Sequence, residues 1–217
     1  MLGLRRRTVI ETSRLTLRLP QHSDYRAWAG LREASAAFLT PWEPAWSPDH
    51  LSRRAFTGRV AWAARVEADG SALPLFLIRR ADRALIGAIT LDHIRRGPAQ
   101  AGTIGYWIGQ PYARNGYMRE AIEGLCHHAF GQLDLSRIEA ACLPENAASR
   151  GALEKCGFKY EGVAQAYLQI GGRWRNHVLY ALLRHDRRGR TEAGGPVSVL
   201  SHGGRCPPPG ACRTGPP

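Results

Sequence analysis

The sequence of 217 residues predicts one α/β domain built on a mixed sheet of six or seven strands flanked by helices. Apolar residues make up 44% and charged residues 22% of the chain, which is ordinary for a globular domain that buries a core. Strand-like runs and amphipathic helical patterns alternate along the chain, without an internal repeat. The composition changes sharply near Arg188, so we expect the domain to cover residues 1–188.

The first elements are short. Residues 15–19 alternate apolar and polar side chains and stop at Pro20, which predicts a strand. Residues 24–32 read as a helix, and residues 38–47 as a loop rich in proline and tryptophan. The four tryptophans of this part either line a substrate groove or pack the first helices; they are Trp28, Trp42, Trp46 and Trp62.

The second predicted helix starts with a capping serine. Ser47, Pro48 and Asp49 supply a cap, a proline suited to a first turn, and an acid at the positive end of the helix dipole. We expect this helix to run to about Val66 and to end before Gly70. Apolar runs at 73–79, 84–92 and 103–109 then predict three strands.

The clearest helix follows, because its apolar residues repeat at helical spacing in one stripe. The stripe consists of Met118, Ala121, Ile122, Leu125, Cys126, Ala129 and Phe130. Residues 137–143 predict a strand, and residues 146–155 a short helix capped by Asn146 with Gly157 just past its end. Two more strands are expected, at about 160–170 and 178–183.

Several classes of protein are excluded by composition. No stretch approaches about 18 consecutive apolar residues, and the basic N-terminus lacks the apolar core of a secretory signal. The five cysteines are odd in number and widely spaced, which argues against a disulfide framework and a structural zinc site. We therefore expect a reduced, cytoplasmic protein without a metal.

Residues 189–217 include seven glycines and six prolines, a composition that cannot bury enough apolar surface to offset its ordering entropy. We expect a disordered tail there. The net charge of +12 comes almost entirely from arginine. Either GC-rich coding or an acidic partner, such as a phosphate-rich cofactor, accounts for this charge. The arginines are dispersed and form no recognition-helix pattern, so direct nucleic-acid binding is not expected.

The segment that points most clearly to a function joins the strand predicted at 103–109 to the helix with the apolar stripe. The first amides of a helix lack intrahelical partners and carry the positive end of the dipole, which makes an anion site suited to a pyrophosphate. Gly116, just before the helix, allows a ligand to approach the backbone closely. No Gly-Lys-Ser/Thr follows, so this is not a Walker loop. An ordinary strand–turn–helix connection remains an equal alternative on spacing alone.

A second stretch, residues 144–158, tips this balance when it is taken with the first. Together they resemble the GNAT superfamily of acetyl-CoA-dependent N-acetyltransferases, and more closely its ribosomal-protein-alanine (Rim-type) group. The resemblance covers residues 10–188 and depends on the order of six short motifs. These are Gly105-Tyr106-Trp107, Gly116-Tyr117-Met118-Arg119-Glu120-Ala121, Arg137-Ile138-Glu139-Ala140, Asn146 with Ser149, Glu154-Lys155-Cys156-Gly157-Phe158, and Glu161-Gly162.

The resemblance implies a GNAT fold and a role for each matching residue. The backbone of a strand would hold the pantetheine arm and acetyl carbonyl, and the amides of a loop would hold the pyrophosphate. The strand residues are Trp107, Ile108 and Gly109, and the loop residues are Arg114, Asn115, Gly116, Tyr117, Met118 and Arg119. Asn146 would bind pantetheine, cap its helix, or do both. Ser149 would donate a hydrogen bond to the departing thiolate, unless it is a solvent-facing helix serine. The alternatives are that Tyr106, Tyr117 or water protonates the thiolate, or that the thiolate leaves unaided.

The sequence also departs from the family pattern. The tyrosine that many relatives use as general acid is replaced by Leu153, and the acid often found before the Gly-Tyr-Trp motif is replaced by Thr103. An Asp-His pair common near the last strand is Asn176-His177 here. No general base can be carried over to this chain.

The function that the resemblance implies is transfer of an acetyl group from acetyl-CoA to a primary amine. The expected acceptor is the N-terminal alanine of a ribosomal protein. Two alternatives stay open: acetylation of a small amine such as an antibiotic or a polyamine, and a regulatory module that binds acyl-CoA without turnover.

Overall fold

The computed structural model describes residues 7–185. The tail expected at residues 189–217 lies outside this part of the chain. The described residues form eight strands and five α-helices. In chain order these are β1 (Val9–Glu11), β2 (Leu15–Arg18), α1 (Tyr25–Ala34), α2 (Ala36–Leu39), α3 (Arg53–Asp69), β3 (Leu73–Arg79), β4 (Leu85–Arg95), β5 (Ala101–Ile108), α4 (Tyr117–Gly131), β6 (Arg137–Cys142), α5 (Ala147–Lys155), β7 (Lys159–Ile170) and β8 (Arg173–Leu183).

The strands form one mixed sheet in the order β1-β2-β3-β4-β5-β6-β8-β7. Neighbouring strands are antiparallel except β5 and β6, which run parallel and are joined through α4. The predicted α/β architecture is confirmed. The sheet has one strand more than expected because β1, at its edge, has three residues, too few to show a periodicity.

Helix α3 begins later than the sequence predicted. Ser52, not Ser47, is its N-cap, and the Ser52 hydroxyl accepts a hydrogen bond from the Ala55 amide at 3.1 Å. The Ser47 hydroxyl instead bonds to the Asp49 carboxylate at 2.8 Å within the preceding turn. Both serines are suitable N-cap residues, and the local sequence pattern does not decide which of them begins the helix. The end of α3 is as predicted, with Gly70 left-handed at φ +74°.

The two faces of the sheet carry separate apolar clusters. Helix α4 lies over the larger cluster, and Ala121, Ile122 and Leu125 of its predicted stripe are fully buried. Helices α1 and α3 cover the other face, where Trp28 and Phe56 pack against Phe76. Trp28 therefore packs a helix, one of the two roles left open for the tryptophans.

Within residues 7–185, no helix is both long enough and apolar enough to cross a bilayer.

Candidate active site

The parallel strands β5 and β6 pair along only part of their length. The ladder runs from Ala101 opposite Arg137 to Ile104 opposite Ala140 and ends there. Strand β5 continues four residues further, to Ile108, and β6 two residues further, to Cys142. The two strands therefore separate into a wedge beyond Ile104, and the end of β5 forms one wall of it.

The backbone of β5 presents hydrogen-bonding groups to this wedge. Gly109 donates its amide to the carbonyl of Ile86 at 2.9 Å, so Gly109 points its backbone toward β4. Because backbone groups alternate in an antiparallel pair, Ile108 and Tyr106 point theirs away from β4 and into the wedge. Among the three predicted strand residues, Ile108 thus offers its amide and carbonyl, whereas the Gly109 amide is occupied and the Trp107 backbone faces β4.

The helix α5 begins at the opposite wall, and Ser149 in its first turn reaches across to β5. The Tyr106 hydroxyl lies 2.8 Å from Ser149 Oγ, and burial raises the pKa of this phenol well above its ordinary value. Burial also raises the pKa of the neighbouring Cys142 thiol. The Tyr106 phenol and the Cys142 thiol beside the Ser149 hydroxyl therefore stay protonated at neutral pH and act as hydrogen-bond donors.

Asn146 caps α5, which is one of its two expected roles. Its side-chain oxygen accepts a hydrogen bond from the Ser149 amide at 3.0 Å. This bond fixes the first turn of α5 and with it the position of the Ser149 side chain.

The connection between β5 and α4 has the geometry of an anion site. Arg114 and Gly116 both have left-handed backbones, at φ +62° and +78°. Gly116 is the N-cap of α4 and contributes no side chain there, so the first amides of the helix are open. The loop predicted from Arg114 to Arg119 therefore offers backbone donors at the positive end of a helix of 15 residues.

The loop and Ser149 lie at the two ends of α5. The Cys156 thiol, at the C-terminal end of α5, lies 3.7 Å from the carbonyl of Arg119 in the first turn of α4. From Ser149 to Cys156 the helix rises about 10 Å. An elongated ligand with an anionic end on the loop would therefore run along α5 to Ser149.

A partly buried carboxylate holds the start of α4. Glu120 accepts hydrogen bonds from the Thr12 and Ser13 hydroxyls, and from the Arg14 amide and guanidinium, at 2.6–2.9 Å. Burial acts to raise the pKa of Glu120, but these hydrogen bonds outweigh it and lower the pKa to about 2. The segment before β2 is thereby tied to the anion loop.

Replacing Glu120 by glutamine is expected to lower the stability of the fold by about 1–2 kcal/mol at pH 7. Because the folded-state pKa of Glu120 lies below its unfolded value, this stabilisation is complete above about pH 5 and is lost as the pH falls toward 2. Urea unfolding of both proteins at pH 7, 4 and 3 measures the difference. A gap that stays constant over this range would show that the charge of Glu120 is not its cause.

A cationic and aromatic cluster lies beside the end of β5, on the sheet face that α1 and α3 cover. The Arg32 side chain is almost fully buried, forms two hydrogen bonds with Glu43, and lies between the rings of Trp46 and Trp107 at 4.4 and 4.7 Å. Arg32 also lies 3.2 Å from His50 Nε2, and burial, then the charge of Arg32, lower the pKa of His50. This cluster fixes the loop after α2 against β5.

The sequence did not signal three of these contacts. Tyr106 with Ser149, Arg14 with Glu120 and Arg32 with Glu43 join distant parts of the chain. The residues predicted to bind or react lie on the β5 end, the loop and the α5 start, which surround one wedge. Within the described residues, no cluster of three or more His, Cys, Asp or Glu side chains could hold a metal ion.

Comparison with known proteins connects this site to one family. Residues 14–159 match the family model described as acetyltransferase (GNAT) domain. The chain is 32% identical over 177 residues to the ribosomal protein uS5-alanine N-acetyltransferase of Escherichia coli (strain K12). The aligned region covers 82% of this chain and 91% of that relative.

Two solved structures are similar over most of the fold. One is the ribosomal-protein-S5-alanine acetyltransferase from Vibrio fischeri, with a TM-score of 0.76, 28% identity, and coverage of 82% of this chain and 98% of that one. The other is Mycobacterium smegmatis RimJ in complex with CoA-disulfide, with a TM-score of 0.77, 28% identity, and coverage of 82% and 88%.

Proposed function

Since the chain belongs to the GNAT acetyltransferase family and is an acetyl-CoA-dependent N-acetyltransferase, we propose that its acceptor is the N-terminal α-amine of a ribosomal protein, alanine in particular. The similarity to the uS5-alanine enzyme over 82% of the chain supports this acceptor. The observation in the site that carries the proposal is the contact of the Ser149 hydroxyl with the Tyr106 phenol at 2.8 Å, beside the Cys142 thiol, because burial keeps both of these groups protonated.

The wedge fits acetyl-CoA. The diphosphate binds to the amides from Arg114 to Arg119, the pantetheine arm follows α5 past Asn146, and the thioester lies between Ile108 and Ser149. The φ of +78° at Gly116 and the lack of a side chain there leave room for a phosphate against the backbone.

The acceptor amine must reach this site already neutral, because the groups around Ser149 donate protons rather than accept them. An α-amine has a pKa of about 7.7–8.0, so roughly a quarter to two-fifths of it is neutral near pH 7.5. A lysine amine, with a pKa of about 10.4, is neutral only about one part in a thousand. The site therefore favours an N-terminal amine over a lysine side chain.

In the reaction, the amine nitrogen attacks the thioester carbonyl carbon to give a tetrahedral intermediate. The amide of Ile108, which faces the wedge, stabilises the negative charge on the carbonyl oxygen. The carbon–sulfur bond then breaks, and the electron pair stays on sulfur. Ser149 donates a hydrogen bond to this thiolate, Tyr106 donates to Ser149 Oγ, and the proton lost by the amine leaves through water.

An acceptor panel tests the proposal. Release of free thiol from acetyl-CoA is measured with an Ala-initiated peptide, a Ser-initiated peptide, the Ala peptide blocked at its α-amine but carrying one lysine, and a polyamine. We expect the Ala-initiated peptide to exceed the blocked peptide by at least about tenfold, with mass spectrometry locating the acetyl group on the α-amine.

Two results would contradict the proposal. Faster turnover with the polyamine would identify a small-molecule acetyltransferase. Binding of acetyl-CoA without thiol release from any acceptor would identify a module that binds acyl-CoA without turnover.

A further inference from the structure

A positively charged side chain lies at the positive end of α4, where a helix normally favours anions. Arg14, in the segment before β2, stacks its guanidinium over the Tyr117 ring at 4.6 Å. Arg14 Nε donates to Glu120 at 2.6 Å, and Nη1 donates to the carbonyl of Asn115 at 3.0 Å. Three contacts on three residues thus hold one guanidinium in a single orientation beside the anion loop.

The remaining nitrogen of this guanidinium points at the loop glycine. A Cβ atom built on Gly116 would lie 3.4 Å from Arg14 Nη2, so this nitrogen faces the space that a side chain would fill at Gly116. Among the described residues, Nη2 makes no hydrogen bond, whereas Nε and Nη1 each make one. Arg14 and Gly116 line an open groove of about 340 Å³, together with Ser13, Arg119, Glu120 and Glu123.

Both carboxylates that line this groove form ion pairs with arginines, whereas the helix amides have no counter-charge. Glu120 is paired with Arg14, and Glu123 is paired with Arg119 at 2.8 Å. The open helix amides add a partial positive charge that these pairs leave unbalanced. An anion placed against Gly116 would balance it and would accept a hydrogen bond from Nη2.

We propose that Arg14 is a phosphate-binding residue of this enzyme, and that it donates Nη2 to the diphosphate of acetyl-CoA held by the amides that begin α4. The inference rests on the proposed binding of acetyl-CoA at this loop. It adds a residue from the segment before β2, outside the strand–loop–helix motif. Glu120 and the Asn115 carbonyl act as positioning groups, because they fix the guanidinium before the ligand arrives.

The test compares two acetyl donors, acetyl-CoA and S-acetylpantetheine, which carries the same thioester without phosphates. With Arg14→Gln, the KM for acetyl-CoA is expected to rise about fivefold to thirtyfold, whereas kcat at saturation stays unchanged. The KM for S-acetylpantetheine is expected to stay within twofold, because that donor has no phosphate for Arg14 to bind. Arg14→Lys, which keeps the charge but loses the planar fork, is expected to show a smaller rise.

Arg80→Gln is the matched control, because Arg80 Nη1 donates to the Thr12 carbonyl at 2.9 Å in the same segment without contacting the loop. It is expected to leave both KM values unchanged. An unchanged KM for acetyl-CoA in folded Arg14→Gln would overturn the inference alone. So would an equal rise for both donors in the Arg14 variants, which would indicate a distorted loop. Absence of acetyl-CoA binding by the unaltered protein would overturn the proposed function as well.

Discussion

Replacing Ser149 by alanine is expected to lower kcat by about 10- to 150-fold with an Ala-initiated peptide, while acetyl-CoA binds as before. A hydrogen bond to a developing charge contributes about 1.5–3 kcal/mol, and this one strengthens only when the carbon–sulfur bond breaks. The helix should survive, because alanine is the better helix former and Asn146 caps the backbone amide rather than the hydroxyl of Ser149.

The partner of Ser149 provides a second variant for this prediction. Tyr106→Phe removes the hydroxyl that lies 2.8 Å from Ser149 Oγ, and it is expected to lower kcat about threefold to tenfold. Because Tyr106 acts through Ser149, the double variant should match Ser149→Ala within about twofold. Tyr180→Phe is the control, since the Tyr180 hydroxyl contacts Glu154 on the same helix at 2.7 Å.

If Ser149→Ala turns over within twofold of the parent while Tyr106→Phe loses most of its activity, Tyr106 is the proton donor and the role given to Ser149 is wrong. Circular dichroism melts and calorimetric binding of acetyl-CoA establish that each variant is folded and loaded.

Replacing Gly116 by aspartate is expected to weaken acetyl-CoA binding at least about tenfold, equivalent to 1.4 kcal/mol or more. Two causes add. The backbone at φ +78° disfavours any residue with a Cβ, and the new carboxylate would stand beside Arg14 Nη2, where the diphosphate should bind. Calorimetric titration with acetyl-CoA measures the loss.

Gly116→Asn separates these two causes, because it has nearly the same size and the same backbone cost without the charge. We expect it to bind acetyl-CoA more weakly than the parent but at least about threefold more tightly than the aspartate variant. Equal affinities for the two variants would show that the negative charge does not weaken binding. If the folded aspartate variant binds acetyl-CoA as tightly as the parent, the diphosphate does not bind at this loop.

The elements that could be predicted are those defined by local patterns. The apolar stripe of α4, the Asn146 cap and the glycine after α3 each involve residues within a few turns, so the sequence alone predicts them. The predicted start of α3 was wrong, because Ser47 and Ser52 are both suitable N-cap residues and only tertiary packing decides between them.

The site itself depends on contacts that local patterns do not encode. The wedge exists because the β5–β6 ladder ends at Ile104, and this pairing joins residues 36 positions apart in the chain. Tyr106 and Ser149 are 43 residues apart, and Arg14 and Glu120 are 106 apart. The motif resemblance located the loop and Ser149 and left Tyr106 as one alternative proton donor, but it did not indicate that Arg14 accompanies the loop.

Amide hydrogen exchange with and without acetyl-CoA determines whether the co-substrate binds in the wedge between β5 and β6. We expect added protection at residues 106–109, 114–119 and 146–149, and no change along the outer face of α3 around Gly58 and Trp62. Protection at α3 with none at the β5 end or the loop would contradict the account.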